Sequence, residues 1–276
     1  MLKTREGDIV HLAPPHVPAA QKLKGVRVKF TRYVAGSVLI YADLAFPDIH
    51  SPFKDIRVRE AASLAIDRKA ITEKILFGVA ESYGEQMSGI SLGFDPSVKP
   101  DPYDPERARA LLKEAGYPNG FETTLNITTT SLTGQAIAAN LAEVGIRVKL
   151  NVLETGAWVK NYRTKKFKGL IPGQSWYGAE KSGVADAISN NMRGSRWTYY
   201  VPDDVNAALM EGLTKITDEE VAAAGRKFSK LARASRFKMY LWSNSLAVGL
   251  GPKIKFYQPQ MGGLPPSLYE FITVNR

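Results

Sequence analysis

Two stretches of the chain hold side chains able to grip a small polar molecule. The first is Gln174-Ser-Trp-Tyr-Gly-Ala-Glu-Lys-Ser182, in which Ser175, Trp176, Tyr177 and Glu180 are the candidate ligand contacts. Adjacent aromatics with one polar end suit a ligand pocket, and they suit a plain core equally well. The second is Asn191-Met-Arg-Gly-Ser-Arg-Trp-Thr198. Here Arg193, Arg196 and Trp197 lie around a glycine, and two guanidinium forks can hold a carboxylate or phosphate in bidentate fashion. The competing reading is a solvated basic loop. A third stretch, Lys160-Asn-Tyr-Arg-Thr-Lys-Lys-Phe-Lys168, interleaves five basic residues with Tyr162 and Phe167. That is the composition of a surface tracking a nucleic-acid backbone. A solvated helix end whose cations favour the C-terminal dipole is the favoured reading.

Nothing in the chain assembles a catalytic pattern. There is no Ser/His/Asp arrangement, no H-E-x-x-H, no phosphate-binding loop and no dinucleotide glycine motif. The chain has no cysteine, which excludes disulfides, thiolate nucleophiles and Cys-ligated zinc. Its three histidines, His11, His16 and His50, all fall in the first 50 residues. A two-His metal site at His11 and His16 is conceivable, and loop positions for both are favoured. The expectation is a protein without catalytic residues, without a metal and without a cofactor.

The elements that would position the candidates follow from patterning. At 276 residues, 44% hydrophobic and 23% charged, the chain can bury a substantial core without covalent staples. Val26, Val28 and Phe30 alternate with polar residues as in a half-buried strand, and 37–44 is a second extended candidate. Val58, Ala61, Ala62, Ala65 and Ile66 share one helix face. Asp67 caps a second helix over 68–77, stopped by Gly78. Gly- and Pro-rich residues 78–103 read as a long surface loop. Asp104 and Pro105 start a helix that Gly116 ends. Phe121 to Ile127 and Ile146 to Val152 alternate as strands around a helix ending at Gly145, the dimensions of a βαβ unit with a parallel pair. Further helices are expected over 157–166, 203–213 and, from a Thr217/Glu220 capping box, through Ser235. A short strand or loop is expected at 170–176, and a short apolar run at 239–242. The fold class is α/β or α+β, with a mixed sheet.

Three stretches resemble one family. Pro52-Phe-Lys-Asp-Ile-Arg-Val-Arg-Glu-Ala-Ala-Ser-Leu-Ala-Ile-Asp-Arg68 looks like the signature of the extracytoplasmic solute-binding proteins of family 5, which serve peptide- and nickel-type ABC importers. Gly93-Phe-Asp-Pro96 and then Tyr103-Asp-Pro-Glu-Arg-Ala-Arg-Ala-Leu-Leu-Lys-Glu-Ala-Gly-Tyr-Pro-Asn-Gly-Phe121 are similar to its next conserved segment. Val144-Gly-Ile-Arg-Val148 resembles the opening of a later strand. All three occur in the family's order, and the likeness begins weakly near Glu6-Gly-Asp-Ile9.

The resemblance implies a periplasmic-binding-protein type II lobe, a mixed sheet flanked by helices. It divides the chain into 1–52, the end of a first lobe and a crossing segment; 53–238, a second ligand-gripping lobe; and 239–276, the return crossing and C-terminal part of the first lobe. It implies a peptide, opine or related solute, permease subunits of an ABC transporter as partners, a peripheral place at the membrane, a monomer, and no nucleic acid. A competing expectation is that such a piece alone transports nothing. In peptide-binding relatives an aspartate three residues after the cleft tryptophan holds the ligand's α-ammonium; Ala179 stands there here, with Glu180 beside it. Asp55 and Asp67 read as caps, Asp203 to Asn206 as a helix start, and Tyr240 and Trp242 as hinge packing. The first ten residues, MLKTREGDIV, lack an apolar run and a cleavage site, so a periplasmic or extracytoplasmic location requires a signal outside this sequence. The net charge of +10 is read first as a basic surface, with an anionic partner as the alternative.

Overall fold

The computed structural model describes residues 2–4, 6–87, 89, 91–176, 183–257 and 272–274. The chain begins with β1 (Ile9–Leu12), α1 (Val17–Gln21) and the long strand β2 (Arg27–Tyr41). Then come α2 (Ile56–Leu64), α3 (Arg68–Ala70) and β3 (Ala80–Ser82). Next are α4 (Pro105–Glu114), β4 (Phe121–Ile127), α5 (Leu132–Glu143), β5 (Ile146–Val152) and α6 (Thr155–Arg163). The chain continues through β6 (Leu170–Trp176), α7 (Gly183–Asn191), α8 (Asp203–Gly212), α9 (Asp218–Ser235) and β7 (Lys238–Leu250). A small antiparallel pair, β8 (Ile254–Tyr257) and β9 (Ile272–Val274), follows.

One seven-stranded sheet organises the molecule, in the order β1-β7-β2-β6-β4-β5, with β3 also on β7. β4 and β5 run parallel in register from Phe121 opposite Ile146 to Ile127 opposite Val152. This is the βαβ unit expected from the alternation. β6 is parallel to β4, whereas β2 and β7 run antiparallel to their neighbours, so the sheet is mixed.

Local sequence explains most of the boundaries. Asp55 Oδ1 accepts from Arg57 N at 2.8 Å, and Asp67 Oδ1 accepts from Ala70 N at 2.8 Å, so both aspartates are helix caps. Asp104 caps α4 through Arg107 N at 2.9 Å, Pro105 takes its first position, and Gly116 leaves it at φ +90°. At α9, Glu220 N donates to Thr217 Oγ1 and Thr217 N donates to Glu220 Oε2, which completes the capping box.

The sheet is covered on both faces. Leu39, Tyr41, Leu125 and Leu241 point to a cluster with α2, α4 and α5. Val38, Ile40, Ile171 and Tyr240 point to Tyr162 of α6, Phe167 and Tyr199. Successive strand residues face opposite sides, so a strand covered twice needs an uninterrupted apolar run, as 38–41 provides. A third cluster joins α7, α8 and α9 through Val205, Leu209, Phe228 and Ala232.

Three expectations change. The two extended candidates near the N-terminus are one 15-residue strand, β2, with register shifts after Thr31 and Ser37. The bulges interrupt the alternation, which made one strand look like two. The helix after Asp67 continues past Ala70 as a π-helical turn over Ile71–Ile75 and ends at Phe77 and Gly78, both at positive φ. The stretch 78–103 is not a surface loop. It contains β3 and buries Glu85, Gln86, Met87, Asp95 and Asp101. Its acids look exposed in sequence because their partners come from α9, over a hundred residues away.

That pairing is dense. Asp101 Oδ2 accepts from Ser63 Oγ at 2.5 Å, Arg233 Nη1 at 2.7 Å and Arg236 Nη1 at 2.9 Å, and Arg233 Nη2 donates to Oδ1. Burial alone would raise this carboxyl, but hydrogen bonds and charge from Arg233, with Ser63 and Arg236, hold it well below the usual range. Arg59 donates to the carbonyls of Phe53, Lys54, Ser235 and Arg236, and Arg68 to those of Ser63, Ile66 and Tyr240. Two arginines of the 52–68 stretch therefore bind α2 to the end of α9 and to β7.

Candidate functional site

The sheet opens where β4 meets β6. Leu125 opposite Leu170 is the single register pair between them among the described residues. Beyond it β4 stays with β5, and β6 stays with β2 through Ala35 opposite Trp176. The next β6 residues explain the opening. Pro172 has no N–H to extend a ladder, and Gly173 has no side chain to fill a gap.

Asn126 fixes the base of the split. Its Nδ2 donates to the carbonyls of Lys168 at 2.8 Å and Leu170 at 3.1 Å, and its Oδ1 accepts from Asn151 Nδ2 at 2.8 Å. The buried amide thus ties three chain segments together below the point of divergence.

A cavity of about 560 Å³ occupies the split. Ile127, Thr129, Ser131 and Gly134 line it from the end of β4 and the start of α5. Ser131 Oγ accepts from Gly134 N at 3.1 Å, capping α5 at the cavity wall. Trp158 and Tyr162 of α6 line another side, stacked with ring centroids 5.0 Å apart. Trp158 Nε1 donates to Asn126 O at 2.9 Å, and Tyr162 Oη donates to Trp197 O at 2.8 Å. Leu241, Trp242, Asn190 and Lys238 complete the wall.

The location follows from topology. α5 leads from β4 outward to β5, whereas the chain after β6 leads towards β7 on the other side. Connections leaving in opposite directions from adjacent parallel strands open a crevice at their C-terminal ends, the usual ligand position in open α/β sheets. The lining is mostly apolar and aromatic with a few hydroxyls, which suits a small organic solute.

Sequence reasoning placed one candidate here. Trp197 lines the cavity, 40% exposed, with the Arg196 guanidinium 5.1 Å from its ring centroid. Arg193 ion-pairs with Asp203, and its backbone N–H binds Asn206 Oδ1 at 2.8 Å. Ser175 and Trp176 are the last residues of β6, opposite Gly36 and Ala35. Tyr177, Ala179 and Glu180 lie outside the described residues. Tyr240 and Trp242 are buried on β7, and Trp242 reaches the cavity. Tyr162 and Phe167 of the basic stretch are buried, so that stretch offers cations without aromatic faces for bases to stack on. His11, His16 and His50 are exposed.

The sequence reading missed Trp158, Tyr162, Ser131 and Lys238 as site residues. Trp158 and Tyr162 stand four apart on a helix, the one local signal of a shared face.

A model of the bacterial extracellular solute-binding proteins, family 5 middle region, matches residues 1–198. The chain belongs to this family. A relative, a glutathione-binding protein of Salmonella paratyphi A, is 31% identical over 234 residues, covering 81% of this chain and 43% of that protein. Two solved structures share the fold. The periplasmic binding protein DppA of Helicobacter pylori, in complex with the peptide STSA, superposes with a TM-score of 0.81 at 23% identity over 100% of this chain and 54% of that one. NikA of Brucella suis, in complex with Fe(III)-EDTA, gives 0.84 at 19% identity over 99% and 58%. The fold is that of a type II periplasmic binding protein, and the chain spans less than half the length of the glutathione-binding relative. Among the described residues, no helix is long and apolar enough to cross a membrane.

Proposed function

We propose that this chain provides a solute-gripping lobe of the substrate-binding component of an ABC importer. The observation that carries the reading is the lined cavity at the β4–β6 split. The solute is a peptide, an opine or a related small molecule, captured by lobe closure and passed unchanged to permease subunits outside the cytoplasm. The glutathione-binding relative makes glutathione the first solute to try. In this reading the protein is a monomer, peripheral to the membrane, performs no catalysis and binds no nucleic acid.

The lobe comprises 53–238, with 1–52 and 239–276 leading to and from a first lobe. Support for that division is the continuity of β2 and β7, which pair from Arg27 opposite Leu250 to Ile40 opposite Lys238. Two long antiparallel strands of this kind are suited to carry the chain between lobes. Ser175, Trp176, Tyr177, Glu180, Arg193, Arg196 and Trp197 are the proposed ligand contacts, together with Trp158 and Tyr162.

A lobe offering one wall of a clamp buries less of its solute than a closed clamp does, so binding by this chain is weaker than micromolar. Titration with glutathione and with a tripeptide, followed by tryptophan fluorescence and by NMR shifts of Thr129 and Gly134, tests this. Saturable shifts at those residues are expected. No shift with either solute, or shifts confined to residues away from the cavity, would overturn the assignment.

A further inference from the structure

Among the described residues that line the cavity, one side chain is an ion and none is its counter-ion. Lys238 opens β7 opposite Ile40, and the residue is only 6% exposed. Its Nζ donates to Asn191 Oδ1 at 2.7 Å and to Asn190 O at 3.4 Å, and lies 5.5 Å from the centroid of the Phe237 ring. These partners are neutral. Asn191 is committed on its other side, donating Nδ2 to Ala187 O at 2.7 Å. Lys238 is also the one charged residue among the described residues that line the cavity, and no carboxylate is among them.

Burying an ammonium among neutral groups is costly, and a well-packed apolar side chain usually removes the cost. The Lys238 neighbours Ile40 and Phe237 are apolar. The ammonium is therefore poised for a group that arrives from the cavity. Burial, with repulsion from Lys165, pulls it down to about 7, which is the expected state of a lysine still short of its anion.

We propose that Lys238 anchors a carboxylate of the solute, so that the ligand of this cavity is a carboxylic acid presenting its anionic end to β7. The inference rests on the cavity being the solute site. A single cation matches a single carboxylate, and the surrounding Trp, Tyr and Ile surfaces suit the remainder of an organic acid. Among the described lining residues no acid is placed to pair with an ammonium group.

The test compares glutathione with its dimethyl ester, on the full chain and on Lys238→Met, by NMR titration. Wild type is expected to prefer the free acid at least about ten-fold, the value of a charge-assisted hydrogen bond out of water. Lys238→Met is expected to lose that preference, binding acid and ester alike. Lys238→Gln, polar and uncharged, serves if the methionine variant folds poorly. Should both fold poorly, the acid-to-ester ratio on wild type, with shifts mapped to Lys238 Nζ, decides. Equal binding of acid and ester by wild type, or an unchanged preference in the variants, overturns the Lys238 assignment and leaves the cavity as a solute site. Absence of binding by both ligands overturns both.

Discussion

Leu125 of β4 sits opposite Leu170 of β6, and beyond this pair the two strands part. The cavity occupies the gap, so its size is set by where the pairing stops.

Filling that gap should abolish solute binding without harming the fold. Thr129 is exposed and lines the cavity just after β4. Thr129→Trp places a large ring in the opening. The expected result is at least about ten-fold weaker binding, from lost contact area, with stability within about 0.5 kcal/mol of wild type. Chemical denaturation and the glutathione titration check the two halves separately.

Asp101 holds Arg233, Arg236 and Ser63 together. Asp101→Ala leaves two part-buried guanidinium groups without their anion and should cost roughly 3 kcal/mol, measured by urea unfolding. Because its folded carboxyl titrates below the unfolded one, its contribution is present above pH 4 and disappears as pH falls through the folded value. A neutral loss for Asp101→Ala would mean the network adds nothing to stability.

Glu85 should make stability fall as pH rises through the mildly acid range. Burial pushes its carboxyl up to about 7, outweighing the hydrogen bonds from Ser229 Oγ at 2.6 Å and Asp95 N at 3.0 Å. A folded value above the unfolded one means the native state holds the extra proton between about pH 4.5 and 7, so stability declines across that window. Glu85→Gln keeps a neutral group there. Thermal melts from pH 4.5 to 8 should show a flatter profile in the variant, and superimposable profiles would remove the assignment.

Lys238 predicts the opposite slope in a separate window. Its folded value, about 7, lies below the unfolded 10.5, so the unfolded chain binds the extra proton between them. Stability without solute should therefore rise with pH above 7, and Lys238→Met should lack that rise. Urea midpoints at pH 7, 8 and 9 compare the two proteins. An equal rise in both would show that Lys238 is not the group responsible.

Much of the architecture was legible as local chemistry. Asp55, Asp67, Asp104 and Thr217 cap where their side chains can reach N–H groups two or three residues on. The β4–α5–β5 unit followed from two runs of alternation around a helical period. Those signals act over a few residues, so the sequence shows them directly. The 52–68 and 93–121 stretches likewise carried the family.

The site was legible only in part, because it is made by strands that fail to pair. Nothing local to Pro172 says that β4, rather than another strand, will be its absent neighbour. Lys238 reads as one more cation in a basic chain, and only packing of β7 against β2 and α7 buries it beside the cavity. Glu85 and Asp101 look like loop acids until α9 supplies Ser229 and Arg233, and its C-cap Arg236. The sequence by itself determined caps, periods and family, all set by neighbours along the chain. Tertiary structure alone decided which charges lose their water and which strands part, because burial and pairing depend on residues far away in sequence.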